Sequence, residues 1–192
     1  MSATHRAPAA FIDRDGVINE ERGFVHRPED FELIPGAAAA LRSLRENGYR
    51  LVVITNQSGI ARGLYTEDDY ERLTAHMTQM LDAAGAAPDA TYYCPHLPDA
   101  TVQRFRIDCD CRKPRAGMLR RAVEQLSVTV SESILVGDRA SDVQAGRAAG
   151  VGRCYLVRSG KPLEEADIAQ ADGVFSDLAE CVRHVLALRQ SK

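Results

Sequence analysis

Two carboxylates stand two residues apart at the end of a short apolar run: Ala9 to Ile12 leads straight into Asp13-Arg14-Asp15-Gly16. Carboxylates a few ångströms apart repel, and a hard divalent cation with oxygen ligands relieves that repulsion. With such a cation in place, one carboxylate can attack phosphorus while its neighbour moves a proton. The plainer alternative is an Asp-rich turn after a strand. Thr55 also closes an apolar run, Leu51 to Ile54. Its hydroxyl and the N–H groups of the next turn would make a cradle for phosphate oxygens; the alternative is a helix cap. Cys94-Pro95-His96 and Cys109-Asp110-Cys111 bring together four soft or borderline ligands. Cys94, His96, Cys109 and Cys111 match a closed tetrahedral zinc site, with tighter spacing than a standard finger. Asp110 could face the same metal but is a poorer match, and four unrelated buried residues are the alternative. Arg112 and Lys113 follow at once and suit phosphate, Arg as a fork and Lys as a point charge, unless they are a solvated basic pair. A further apolar run, Ser133 to Val136, ends in Gly137-Asp138-Arg139-Ala140-Ser141-Asp142. Alone, that stretch also reads as a helix N-terminus with acidic caps.

Positioning these tips needs short buried strands. Five are predicted: Ala9–Ile12, Leu51–Ile54, Ala90–Tyr93, Ser133–Val136 and Cys154–Val157. Helices are expected over 36–47, closed by Gly48, and from a capping box at Thr66 to Ala84. Others are expected over 117–126, over 142–149 closed by Gly150, and over 177–188 with Ser176 as N-cap. His76 reads as surface or packing, Cys154 as buried and inert. Residues 20–35 read as a polar loop, either touching the substrate or solvated. The loop 97–108 has no clear period and needs pinning, which a structural zinc would supply. The alternation of strand and helix predicts an α/β fold with a doubly wound, mostly parallel sheet. In such sheets ligands bind outside the carboxyl ends of the strands.

The chain's 192 residues suggest one domain, 1–192, with a zinc-loop insertion at about 94–111. Hydrophobic residues at 45% and charged residues at 27% match an ordinary globular protein. A formal net charge of -3 argues against nucleic-acid binding. No apolar run is long enough to span a membrane. Met1 to Pro8 holds no apolar segment of the secretory kind, so the cytoplasm is the expected location. There, three clustered cysteines out of five read as metal ligands before disulfides.

The strand tips in order, D-R-D-G-V-I-N, Thr55, Lys113 and G-D-x₃-D, resemble the motifs of the haloacid dehalogenase (HAD) superfamily of phosphatases. The resemblance covers residues 9–160 and implies a Rossmann-like fold without a large cap. It implies Asp13 as nucleophile, Asp15 as general acid and base, and Thr55 and Lys113 as phosphoryl-binding groups. It also implies Mg²⁺ on Asp13, the main-chain carbonyl of Asp15 and Asp138, with Asp142 behind this shell or orienting Lys113. The run T-N-Q-S-G-I-A-R-G and the zinc loop C-P-H…C-D-C-R-K-P are similar to the branch holding heptose-bisphosphate and histidinol-phosphate phosphatases. By that match the substrate meets Asp13, Arg14, Asp15, Glu21, Arg22, Gly23, Phe24, Thr55, Asn56, Gln57, Ser58, Arg112, Lys113 and Arg139. Arg112 and Arg139 suit an anionic distal group, which favours a heptose 1,7-bisphosphate losing its 7-phosphate. Histidinol phosphate, an amine, would ask for carboxylates instead. Position 139 is often Lys in the family, and Arg offers a different geometry. Two non-catalytic readings are a phospho-acceptor domain, which Asp15 argues against, and a zinc-organised interaction module, which does not need both Asp13 and Asp15. The partner implied is a small phosphorylated sugar, bound by a monomer.

Overall fold

Both faces of the central sheet bury apolar side chains, so its strands read as unbroken apolar runs rather than alternating ones. The structure, a computed structural model, describes residues 6–190. Residues 1–5, part of the N-terminal stretch without a secretory pattern, lie outside the described residues. In chain order the strands are β1 Ala9–Ile12, β2 Arg50–Asn56, β3 Ala90–Cys94, β4 Ile134–Gly137, β5 Arg153–Val157 and β6 Gly173–Phe175. They form one sheet in the order β3-β2-β1-β4-β5-β6, and every pairing is parallel. The winding reverses direction at β1, and the crevice such a reversal opens lies at the carboxyl ends of β1 and β4.

The helices are α1 Ala37–Glu46, α2 Ser58–Ala61, α3 Glu67–Ala83, α4 Gly117–Leu126, α5 Ala140–Ala149, α6 Glu165–Ile168 and α7 Leu178–Gln190. Successive strand residues alternate between two cores. Ala10, Ile12, Leu51, Val53, Ile134, Val136, Tyr155 and Val157 pack with α1, α3 and α7. Ala9, Phe11, Val52, Ile54, Leu135, Cys154 and Leu156 pack with α4 and α5. A third, smaller cluster joins Ile60, Ala61, Tyr65 and Tyr70 to Leu97, Ala100 and Phe105. It seats the loop that carries the cysteines. Cys154 is fully buried, as expected, and among the described residues no helix is long and apolar enough to cross a membrane.

All five predicted strands and all five predicted helices are present, with ends moved by a residue or two. The sequence did not reveal β6, α2 or α6. Each is only three or four residues long, and β6 is half-buried, so none leaves a periodic pattern. Ser176 is not the N-cap of α7. Asp177 Oδ1 accepts the Glu180 N–H at 2.8 Å, and the Glu180 carboxylate reaches back to the Ser176 N–H and hydroxyl. Asp177 is the N-cap, and Glu180 makes its return bonds to Ser176, the residue ahead of the cap, rather than to the cap itself. The 20–35 stretch is not freely solvated either. Val25, Phe31 and Ile34 are buried, and main-chain bonds tie Glu20 to Glu32 and Ile34 to Ile18.

Candidate active site

The carboxyl ends of β1, β2 and β4 close around a cavity of about 420 Å³. Asp13 follows β1 directly, and its N–H still donates to the Val136 carbonyl of β4 at 3.0 Å, so the sheet itself sets its height. The chain then turns sharply. Gly16 adopts φ +83°, and a Cβ there would stand 2.6 Å from the Gly160 Cα and 2.8 Å from Asp138 Oδ2. Only glycine fits. The turn aims Asp15 back at the cavity beside Asp13.

Lys113 is the hub of the cluster. It is 4% exposed, and its ammonium lies 2.9 Å from Asp13 Oδ1, 2.6 Å from Asp142 Oδ1 and 2.9 Å from the Ile54 carbonyl. Burial opposes its charge, but Asp13 and Asp142 outweigh that and hold its pKa above the ordinary range. Asn56, at the end of β2, secures the lysine's backbone. Its amide donates to the Lys113 carbonyl and accepts the Lys113 N–H, both at 3.1 Å. Asn56 was expected to bind substrate. It does line the cavity, but both ends of its amide are committed to Lys113. Asp142 orients Lys113, one of the two positions the sequence left open for it. Its other oxygen accepts the Arg139 N–H at 3.0 Å.

Burial pushes the Asp13 carboxyl up to about 8; Asp142 and Asp138 add to this, and Lys113 opposes it. Burial and Asp142 likewise push Asp138 up to about 6. Asp138 is fully buried; Oδ2 accepts the Lys161 N–H at 2.9 Å, while Oδ1 has no hydrogen-bond partner. Oxygens of Asp13, Asp138 and Asp142 lie within 4.8 Å of one another. The cavity wall carries five carboxylates (Asp13, Asp15, Glu21, Asp138, Asp142) against four cations (Arg112, Lys113, Arg139, Lys161). A buried oxygen with no hydrogen bond and only Arg139 Nε at 3.8 Å, hard donors and a negative balance all fit a divalent cation, which would also turn the balance in favour of an anion.

Thr55 is buried at the end of β2, and its hydroxyl accepts from Gln57 Nε2 at 2.8 Å, leaving its own proton to donate. Gln57 also donates to Asp15 Oδ2 at 3.0 Å. Ser58, Glu21, Gly23, Phe24, Arg112 and Arg139 line the cavity as expected. Two residues expected at the substrate do not bring their side chains to the cavity wall. The Arg14 side chain is 1% exposed and lies behind the wall, where its guanidinium grips Asp15. The Arg22 side chain points to the surface and pairs with Glu32. Four lining residues went unpredicted, namely Tyr65, Pro114, Ser141 and Lys161. Lys161 was detectable, because Ser159-Gly160-Lys161 stands just past the fifth apolar run, where a strand tip was due.

The second cluster sits next door. Sulfur–sulfur distances among Cys94, Cys109 and Cys111 are 3.2, 3.3 and 3.5 Å, and His96 Nδ1 lies 3.5 Å from Cys111 and 3.9 Å from Cys94. These are too long for a disulfide. A zinc–sulfur bond of about 2.3 Å places sulfurs about 3.8 Å apart in a regular tetrahedron. The four atoms thus face a common centre, with soft donors that fit zinc. Asp110 is not among them; its side chain is exposed and its carbonyl accepts the Gly117 N–H. Arg112 Nη1 donates to the His96 carbonyl at 3.4 Å, so the knot and the two cations after it are one unit.

Comparison with known proteins agrees with this geometry. The haloacid dehalogenase-like hydrolase model matches residues 10–87, and a HAD hydrolase-like model matches residues 110–181. The cysteine loop falls mostly between the two. A Yersinia pestis protein named D-glycero-beta-D-manno-heptose-1,7-bisphosphate 7-phosphatase is 44% identical over 184 residues, covering 96% of this chain and 98% of its own. Its namesake in Escherichia coli K12 is 47% identical over 173 residues, covering 90% and 91%. The crystal structure of D,D-heptose 1,7-bisphosphate phosphatase from B. bronchiseptica, complexed with magnesium and phosphate, superposes with TM-score 0.81. It is 32% identical and covers 94% of this chain and 99% of its own. This chain belongs to the D-glycero-beta-D-manno-heptose-1,7-bisphosphate 7-phosphatase family of haloacid dehalogenase hydrolases.

Proposed function

We propose that this protein hydrolyses the 7-phosphate of D-glycero-β-D-manno-heptose 1,7-bisphosphate by way of an aspartyl-phosphate on Asp13. The observation that carries the reaction type is the pair Asp13 and Asp15 on one cavity wall, with the Lys113 ammonium 2.9 Å from Asp13. A carboxylate oxygen of Asp13 forms a bond to phosphorus as the bond to the sugar oxygen breaks. Asp15 gives a proton to the departing oxygen. It then takes one from the water that attacks phosphorus and releases phosphate, restoring Asp13. Lys113, the Thr55 hydroxyl and turn N–H groups neutralise the equatorial oxygens. Magnesium held by Asp13, the Asp15 carbonyl and Asp138 would supply further positive charge there. Zinc on Cys94, His96, Cys109 and Cys111 would fix the loop that carries Arg112 and Lys113.

The distal phosphate is assigned to the cationic mouth. Arg139 and Lys161 flank Glu21 at 3.8 and 3.4 Å, and Arg112 shares the same rim. This grouping supports a bisphosphate over an amine-bearing ester. The β anomer rests on the names of the relatives. The protein is expected to act as a cytoplasmic monomer. The test is kcat/KM with Mg²⁺ on both heptose bisphosphate anomers and on histidinol phosphate. A large preference for the β anomer is expected. A preference for histidinol phosphate would overturn the assignment of the rim.

A further inference from the structure

The Arg14 side chain does not line the cavity, yet it is one of the most enclosed side chains among the described residues. Its Nε stands 3.2 Å from both oxygens of Asp15, and its Nη2 stands 3.0 and 2.9 Å from them. Nη2 also reaches the Val25 carbonyl at 3.1 Å and Gln57 Oε1 at 3.3 Å. Nη1 is buried without a hydrogen-bond partner, and the guanidinium lies 5.9 Å from the centre of the Tyr70 ring. Asn19 Nδ2 and Gln57 Nε2 grip the same carboxylate from other sides, at 3.1 and 3.0 Å.

Burying a guanidinium with one donor unmet is a poor way to gain stability. It is a good way to fix the plane of a carboxyl group. A proton donor must present one oxygen to the departing oxygen at hydrogen-bond distance, and a freely rotating carboxyl seldom does. We propose that Arg14 is a positioning residue that holds the Asp15 carboxyl in line with the leaving-group oxygen, so that the departing alkoxide is protonated as its bond to phosphorus breaks. The proposal rests on the phosphatase reading above.

Leaving-group chemistry separates this from a merely structural role. Phenyl phosphate and 4-nitrophenyl phosphate have the same ring. Phenolate is a basic leaving group that gains from a proton, whereas 4-nitrophenolate leaves as a stable anion. Values of kcat/KM report steps up to formation of the aspartyl-phosphate, so the later water attack does not blur the comparison. R14K keeps the buried charge but cannot make the fork. It is expected to lose about 100-fold on phenyl phosphate and less than about 3-fold on 4-nitrophenyl phosphate. With D15N already present, adding R14K should change phenyl phosphate turnover by less than about 3-fold, because Arg14 acts through Asp15. R14Q, which removes the charge, is the second variant, and melting temperature shows which of the two to read. Equal losses on both esters, or a full additional loss on top of D15N, would overturn the proposal. Wild-type turnover of phenyl phosphate tests the phosphatase reading separately, and a wild-type protein that hydrolysed no phosphate monoester would overturn both.

Discussion

Asp13 and Asp138 sit at the ends of β1 and β4, whereas Cys109 and Cys111 sit on a loop whose only regular piece is a three-residue 3₁₀ turn at Gln103–Phe105. The carboxylate cluster is held by the sheet. Asp13 remains in the β1–β4 ladder, and Asp138 is enclosed by Gly16, Gly160 and Lys161. Like charges are therefore kept together whatever occupies the site. The thiol cluster has less behind it: Leu97, Ala100 and Phe105 on the small third core, and a few main-chain bonds such as Val102 to Ala61. A hard cation at the first site would serve reactivity, and a soft cation at the second would serve shape. Removing ligands from the two clusters should therefore do different things.

The largest effect is expected from D13N. Loss of the nucleophile should cut kcat by roughly 10⁴-fold or more. Bound zinc should stay the same and the melting temperature should not fall, because Lys113 keeps Asp142 and the Ile54 carbonyl. A D13N protein that melts much lower would show that the carboxylate cluster is also structural. C109S should do the reverse. Zinc measured by metal analysis should drop, and the melting temperature should fall by about 5–10 °C. Turnover should fall less than in D13N, through the loosened anchor of Arg112 on His96. Unchanged zinc in C109S would remove the metal from that cluster.

Lys161 lies outside both clusters and tests the distal rim alone. K161M should raise KM for the bisphosphate about 10-fold, the weight of one charge-assisted contact, with kcat little changed. A sugar monophosphate lacking the distal group should show no such change. K161M leaves the main-chain N–H on Asp138 in place, so an equal loss on both would mean that the Lys161 ammonium acts through Glu21 on the site as a whole rather than on the distal phosphate.

The sequence was most informative where an apolar run ended in a polar residue, because a buried parallel strand has to stop at the crevice. That rule located Asp13, Thr55 and Asp138, and applied once more after β5 it would have reached Lys161. The cysteine spacing named all four members of the second cluster without any fold, since thiol and imidazole chemistry is local. What sequence could not supply was side-chain direction. Arg14 stands between two residues that face the cavity and looked like a third, yet a strand-end turn sends alternate side chains opposite ways. Asn56 was assigned to substrate by resemblance, and its bond to the Lys113 backbone, 57 positions on, leaves no trace in the sequence. Short elements such as β6 stayed silent because three residues hold no period.

The smallest effect is expected far from either cluster, at the start of α3. The Thr66 N–H and hydroxyl donate to the Asp69 carboxylate, holding it down to about 2 from an ordinary 3.8. A carboxylate held low contributes stability that is fully present above its unfolded value and is lost as pH falls through its folded value. D69N should therefore lower the melting temperature by about 2 °C at neutral pH. The gap from wild type should narrow as pH drops from about 4 towards about 2. Zinc content and kcat should stay at wild-type values, because Asp69 touches neither cluster. If D69N lost zinc or turnover, α3 would be coupled to the cysteine loop more tightly than Tyr70 in the third core and the Glu67–Arg104 pair imply. The knot would then draw rigidity from the helix as well as from any metal it holds.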